Sequence, residues 1–147
     1  MKIFSTLLFS VILFSGWNND FEDAKKKADK EHKYILLNFS GSDWCIPCIK
    51  MHKEIFESPS FTAFAEENLV MVNADFPRLN KNKPSKDQEK KNEKLADKYD
   101  KEGTFPLTLL LNAEGKVIKS WEGFPRLTAE EFTAQIKEIT DAGKGKN

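Results

Sequence analysis

Only two cysteines, Cys45 and Cys48, occur in the 147 residues, which excludes a small scaffold held by several disulfides. Charge of one sign is also missing: 23 Lys and Arg balance 23 Asp and Glu, so nothing in bulk electrostatics favours nucleic acid as a partner. No apolar run reaches the ~20 residues of a spanning helix, and there is no internal repeat. What is abundant is aromatic and mixed-charge residues. Twelve Phe and three Trp within a 39% hydrophobic chain supply a core, which argues against disorder. The length predicts one domain. The 31% charged fraction, mixed in sign, predicts solvated helix faces.

The chain starts with Lys2, a mainly apolar run from Ile3 to Phe14, and small Ser15 and Gly16. This is the profile of a signal peptide over residues 1–17, with cleavage favoured over an uncleaved anchor. The mature chain is expected to begin near Asn18 and to work outside the cytoplasm, periplasmic or secreted, where disulfides persist. No Cys follows the run, so a lipoprotein anchor is not predicted.

Residues 21–33 predict a surface helix with little apolar stripe that packs weakly. YILLNF (34–39) and LVMVNA (69–74) read as buried strands. Helical spacing follows at 46–56 and 60–67, and the alternation points to an α/β layer. Residues 77–101 read as a charged loop and helix inserted into that layer, its apolar contacts confined to Leu95, Ala96 and Tyr99. Between Arg78 and Glu102 nine basic face six acidic residues, a surplus that a solvated face explains more simply than a docking patch. LTLLL (107–111), the turn NAEG and KVIKSW (116–121) predict an antiparallel hairpin. Thr128 and Glu131 form a capping box before a last helix with Phe132, Ile136 and Ile139 in a stripe. Residues 142–147 are expected to be a disordered tail after a domain spanning 18–141.

The chemistry concentrates at Trp44-Cys45-Ile46-Pro47-Cys48. Two thiols separated by two residues, where a buried strand enters a helix, can close into a disulfide and leave the first sulfur exposed. Unpaired N–H groups and the positive end of the helix dipole stabilise a thiolate there. Cys45 is the expected nucleophile, and Cys48, one turn deeper, the thiol that resolves a mixed disulfide. Trp44 can shield the pair, and Pro47 suits the helix start. A structural disulfide is disfavoured because so short a loop restricts the unfolded chain little. A zinc or copper site from Cys45, Cys48 and His52 is the other alternative.

ILLNFSGSDWCIPC, LVMVNADF and GTFPLTLLLNAEGKVIKSWEGF, in that order, resemble the thioredoxin superfamily, in particular its small exported bacterial thioredoxin-like members. The resemblance covers most of the mature chain. It implies a three-layer α/β fold with a central mixed sheet flanked by helices. Further, it implies a Cys45–Cys48 redox centre needing no cofactor and no metal, and a cis-proline at Pro106 preceded by Phe105, whose backbone would meet an extended substrate. Asn38 falls where relatives carry a buried Asp, and an amide cannot accept a proton. The base for Cys48 would then be water, Asp43 or His52.

The implied activity is thiol–disulfide exchange on proteins. Ile46-Pro47 offers no His to support the Cys45 thiolate, as strongly oxidising members do, so reduction is the expected direction. The implied partners are disulfide-containing proteins and a membrane electron donor of the DsbD kind, with the chain acting as a monomer. A metal-binding chaperone or a non-catalytic adaptor of the same fold is the alternative from another class.

Overall fold

Alternation of apolar side chains along three short strands decides the layering. The computed structural model describes residues 16–144. In chain order it contains α1 (Phe21–Glu31), β1 (Tyr34–Ser40), α2 (Ile46–Met51), α3 (Pro59–Asn68), β2 (Leu69–Asp75), α4 (Lys86–Tyr99), β3 (Leu107–Leu111), β4 (Val117–Glu122) and α5 (Ala129–Lys144). A π-helical turn, His52–Phe56, continues α2, and a 3-10 turn spans Asn80–Asn82. The sheet order is β2-β1-β3-β4. β1 pairs parallel with β2 and antiparallel with β3, and β3 pairs antiparallel with β4. The sheet is therefore mixed.

Successive strand residues face opposite sides. Ile35, Leu37 and Phe39 join Val70, Val72, Ala74, Leu107, Leu109 and Leu111 in a core covered by α1 and α4. Leu36, Met71 and Leu110 join a second core with Met51, Phe61, Phe132 and Ile136, under α2, α3 and α5. Three layers result. The edge strand β4 is exposed except for Trp121, and Lys119 and Glu122 keep that edge from pairing with another chain. The opposite edge is partly covered: Asn18 bridges to Val72, donating from its backbone N–H to the Met71 carbonyl at 2.7 Å.

Several expectations are corrected. α1 is no weakly held surface helix, because Phe21, Ala24 and Ala28, spaced i, i+3, i+7, are buried in the core. Its stripe is made of small residues, which let the helix approach the sheet closely and which a hydropathy reading undervalues. The segment read as an insertion is mostly one of the layers. Leu95 enters the core with Ala96 and Tyr99 beside it, and buried Asn92 donates to the Asp75 carbonyl at 2.9 Å. Only the stretch between Phe76 and Ser85 leaves the layered frame. Along α2 the helical spacing holds for Met51, but Ile46 and Ile49 are 73% and 41% exposed. The π turn adds a residue to the helix, and Ile55 and Phe56 both reach the core.

At the C-terminus the helix replaces the expected tail as far as Lys144. The lack of a side chain at Gly143 permits it, since a Cβ there would fall 1.9 Å from the Tyr34 hydroxyl. Lys144 also donates to Asn68 Oδ1 at 3.2 Å. The capping box forms, Thr128 Oγ1 accepting from Glu131 N and Glu131 Oε2 accepting from Thr128 N. The signal-peptide expectation falls on residues 1–17, of which 1–15 lie outside the described residues. No helix among the described residues is long and apolar enough to cross a membrane.

Candidate active site

Between β1 and α2 the chain makes a tight turn, with the Trp44 and Cys45 N–H groups both donating to the Gly41 carbonyl. The turn delivers Cys45 to the N-cap of α2 and Cys48 to its first turn, where they form a disulfide with S–S 2.05 Å and Cα–Cα 5.2 Å. The Cys48 N–H donates to Cys45 Sγ at 3.3 Å. The first sulfur thus takes the place of a capping oxygen, at the positive end of the helix. Pro47, in the first turn, has no N–H to leave unpaired there. The expected outward sulfur is not seen in this state. Cys45 is 4% exposed and Cys48 3%, and the first sulfur lies against the helix start, where it accepts from the Cys48 N–H. Exposed apolar surface next to them comes from Ile46 instead.

Trp44 is fixed on three sides. Its indole N–H donates to the Phe76 carbonyl at 2.7 Å, and it meets Phe105 edge to face at 5.4 Å between centroids. It also lies so close to Gly41 that a Cβ there would be 2.3 Å from the ring. Phe105 packs on Phe76 as well, at 5.6 Å. The Phe105–Pro106 bond is cis, and the Pro106 carbonyl accepts from Gly123 N at 2.8 Å. The segment before β3 and the turn before α2, remote in sequence, are thereby held side by side through Trp44 and Phe105.

Asn38 is 5% exposed, and its hydrogen bonds run along the sheet. Its Oδ1 accepts from Thr108 Oγ1 at 3.0 Å and its amide donates to Asn73 Oδ1 at 3.4 Å. Both partners sit opposite it in register, and Thr108 also reaches Met51 Sδ at 3.7 Å. This polar rung across three strands was not foreseen. Its signal in the sequence is one polar residue inside each of three apolar runs.

Asp43, read as a base for Cys48, is engaged elsewhere. Its carboxylate accepts from Arg78 N at 2.9 Å, Leu79 N at 3.0 Å and Asn82 Nδ2 at 3.0 Å. These bonds, the one from Arg78 foremost, hold its pKa below the ordinary 3.8, and a carboxylate so stabilised is a poor proton acceptor. His52 pairs with Glu57 at 3.3 Å and tilts against Trp17 at 6.0 Å. Among the described residues no three His, Cys, Asp or Glu side chains are grouped to hold a metal ion, so Cys45, Cys48 and His52 are not brought together as ligands. Arg78, which sequence reasoning passed over, lies with its guanidinium carbon 3.9 Å over the Trp44 ring.

At the far end of the Phe105 segment, Asp100 ends α4 and accepts from Thr104 N at 2.7 Å. It is 6% exposed. Burial, opposed by that hydrogen bond, raises its pKa.

A family model described as a thioredoxin-like domain matches residues 21–140. Disulfide bond reductase DsbH of Chlamydia pneumoniae is 42% identical over 117 residues, which cover 80% of this chain and 68% of that protein. A solved structure of a DsbH oxidoreductase superposes with TM-score 0.76 at 34% identity, covering 85% of this chain and 83% of its own. Thioredoxin-related protein DsbJ, also of Chlamydia pneumoniae, is 30% identical over a 155-residue alignment. That alignment covers 97% of this chain but only 43% of DsbJ.

Proposed function

The chain belongs to the thioredoxin-like family and is a thiol–disulfide oxidoreductase, and we propose that it works as a reductase of protein disulfides outside the cytoplasm, with Cys45 as nucleophile. The observation that carries the proposal is the capping of α2 by Cys45 Sγ with the Cys48 N–H donating to it. Negative charge on that sulfur is favoured by the helix end and by the bond, which lowers the cost of the thiolate.

In the reduced protein, the Cys45 thiolate attacks one sulfur of a substrate disulfide, forming a mixed disulfide and releasing the other sulfur as thiolate. Cys48, deprotonated to water, then attacks Cys45 Sγ. The Cys45–Cys48 bond forms and the second substrate thiolate leaves, so two electrons have passed to the substrate. A membrane dithiol donor of the DsbD kind would return them. Trp44 and the Phe105–Pro106 backbone flank an extended substrate, while Pro47 sets the helix start. Asn38 holds the sheet beneath α2 and takes no proton. Asp43 acts by fixing the neighbouring loop. The reducing direction is supported by the Ile46-Pro47 pair, which offers the Cys45 thiolate no imidazole, and by the 42% likeness to a disulfide bond reductase.

Equilibration with glutathione tests the direction, since ~30 mV corresponds to ~1.4 kcal/mol for a two-electron couple. A strongly reducing couple is expected, and one as oxidising as the dedicated disulfide formers overturns it. Insulin-disulfide reduction should disappear in Cys45→Ser. Retained turnover in that variant would remove Cys45 from its role.

A further inference from the structure

Resting on that redox reading, we infer that Arg78 and Leu79 form a substrate-selecting lip beside the disulfide, favouring protein segments with an acidic side chain and an apolar one next to the cystine. The lip is placed by the active-site turn itself. Asp43, two residues before Cys45, accepts the backbone N–H of Arg78 and of Leu79 and the amide of Asn82. The Arg78 guanidinium then lies over Trp44, whose indole is locked by Phe76 and Gly41.

Because the Asp43 oxygens are occupied by the loop, and no ion pair among the described residues engages Arg78, its planar N–H edge is left for an incoming carboxylate. A guanidinium suits that geometry. Lys81 and Lys83 lie in the same loop, and no Asp or Glu occurs from Phe76 to Lys86. Against Arg78, Lys81 and Lys83 the loop holds one carboxylate, that of Asp43, so on a chain of zero formal charge it carries a net positive charge beside the site. Leu79, next to Arg78 and 49% exposed, and Ile46, two residues after Trp44 and 73% exposed, supply the apolar contact. Three hydrogen bonds order the loop before substrate arrives, so little freedom is lost on binding.

The test uses the full chain, reduced beforehand, and follows its single-turnover oxidation by two cystine peptides that differ only in a Glu or a Lys beside the cystine. The ratio of the two rates cancels any change in the intrinsic reactivity of Cys45. The Glu peptide is expected to react about threefold faster at low ionic strength, with the preference shrinking as salt is added. Arg78→Glu should invert the ratio, Arg78→Ala should bring it towards one, and Arg78→Lys should keep part of it. If Arg78→Glu does not fold, Arg78→Ala and the salt dependence of the unaltered chain decide. Equal rates with both peptides, or a ratio indifferent to Arg78, overturns the inference while leaving the redox reading intact. Reaction with neither peptide overturns the redox reading and the inference with it.

Discussion

With Cys48→Ala, Cys45 should still attack a substrate disulfide but have no internal thiol to displace the product. Covalent adducts are expected to accumulate, visible as dithiothreitol-sensitive bands on a non-reducing gel, and Cys45→Ser should remove them. Asp100 yields a second prediction at this scale. Among the described residues its Oδ2 is a buried side-chain oxygen without a hydrogen-bond partner, and its raised pKa means that the folded state resists its ionisation. The stability linked to it is fully present below the ordinary 3.8 and is lost as pH rises through the raised folded value. Asp100→Asn, which cannot ionise, should therefore melt higher than the parent at neutral pH, with the advantage disappearing in acid. Thermal scans across that range check it. The cysteines were legible as a pair from spacing alone. The burial of the first was not, because it is set in the folded chain, where that sulfur caps α2 and accepts from the Cys48 N–H.

Elements make their own demands, and the loop from Phe76 to Ser85 shows how. Asp43 has a lowered pKa, so its hold on the loop is complete above 3.8 and weakens only as pH falls through the still lower folded value. Fluorescence of the site tryptophan should be flat from about pH 7 to 5 and change only in stronger acid. In Asp43→Ala the change should already be present at neutral pH. Trp17 and Trp121 contribute to the signal, so a Trp44→Phe control separates them. Asp43 became a candidate base because the resemblance puts Asn38 where relatives carry a buried Asp, and a carboxylate two residues from a cysteine has that chemistry open to it. Its three donors come from residues 35 to 39 positions away, beyond what any local pattern encodes.

Across the whole molecule, the two cores are joined by a sheet one strand thick, so damage to either face should be felt throughout. Phe132, fully buried between Phe56, Phe61 and Trp121, is the case to test. Phe132→Ala should cost ~3–5 kcal/mol, measured by urea unfolding. The sequence by itself determined the order of elements, the capping box, the hairpin and the position of the redox pair, because strand alternation, cap chemistry and turn residues act within a few positions of one another. It left undetermined that α1 and α4 form a core layer. Alanines and a lone Leu become core only when a sheet lies beneath them. Only the tertiary structure decided which side chains share the site: Trp44 with Phe105, Phe76 and Arg78, and Asn38 with Thr108 and Asn73. Those meetings are set by strand register and loop closure between segments far apart in the chain, where the energy of each contact exists only once the others have formed.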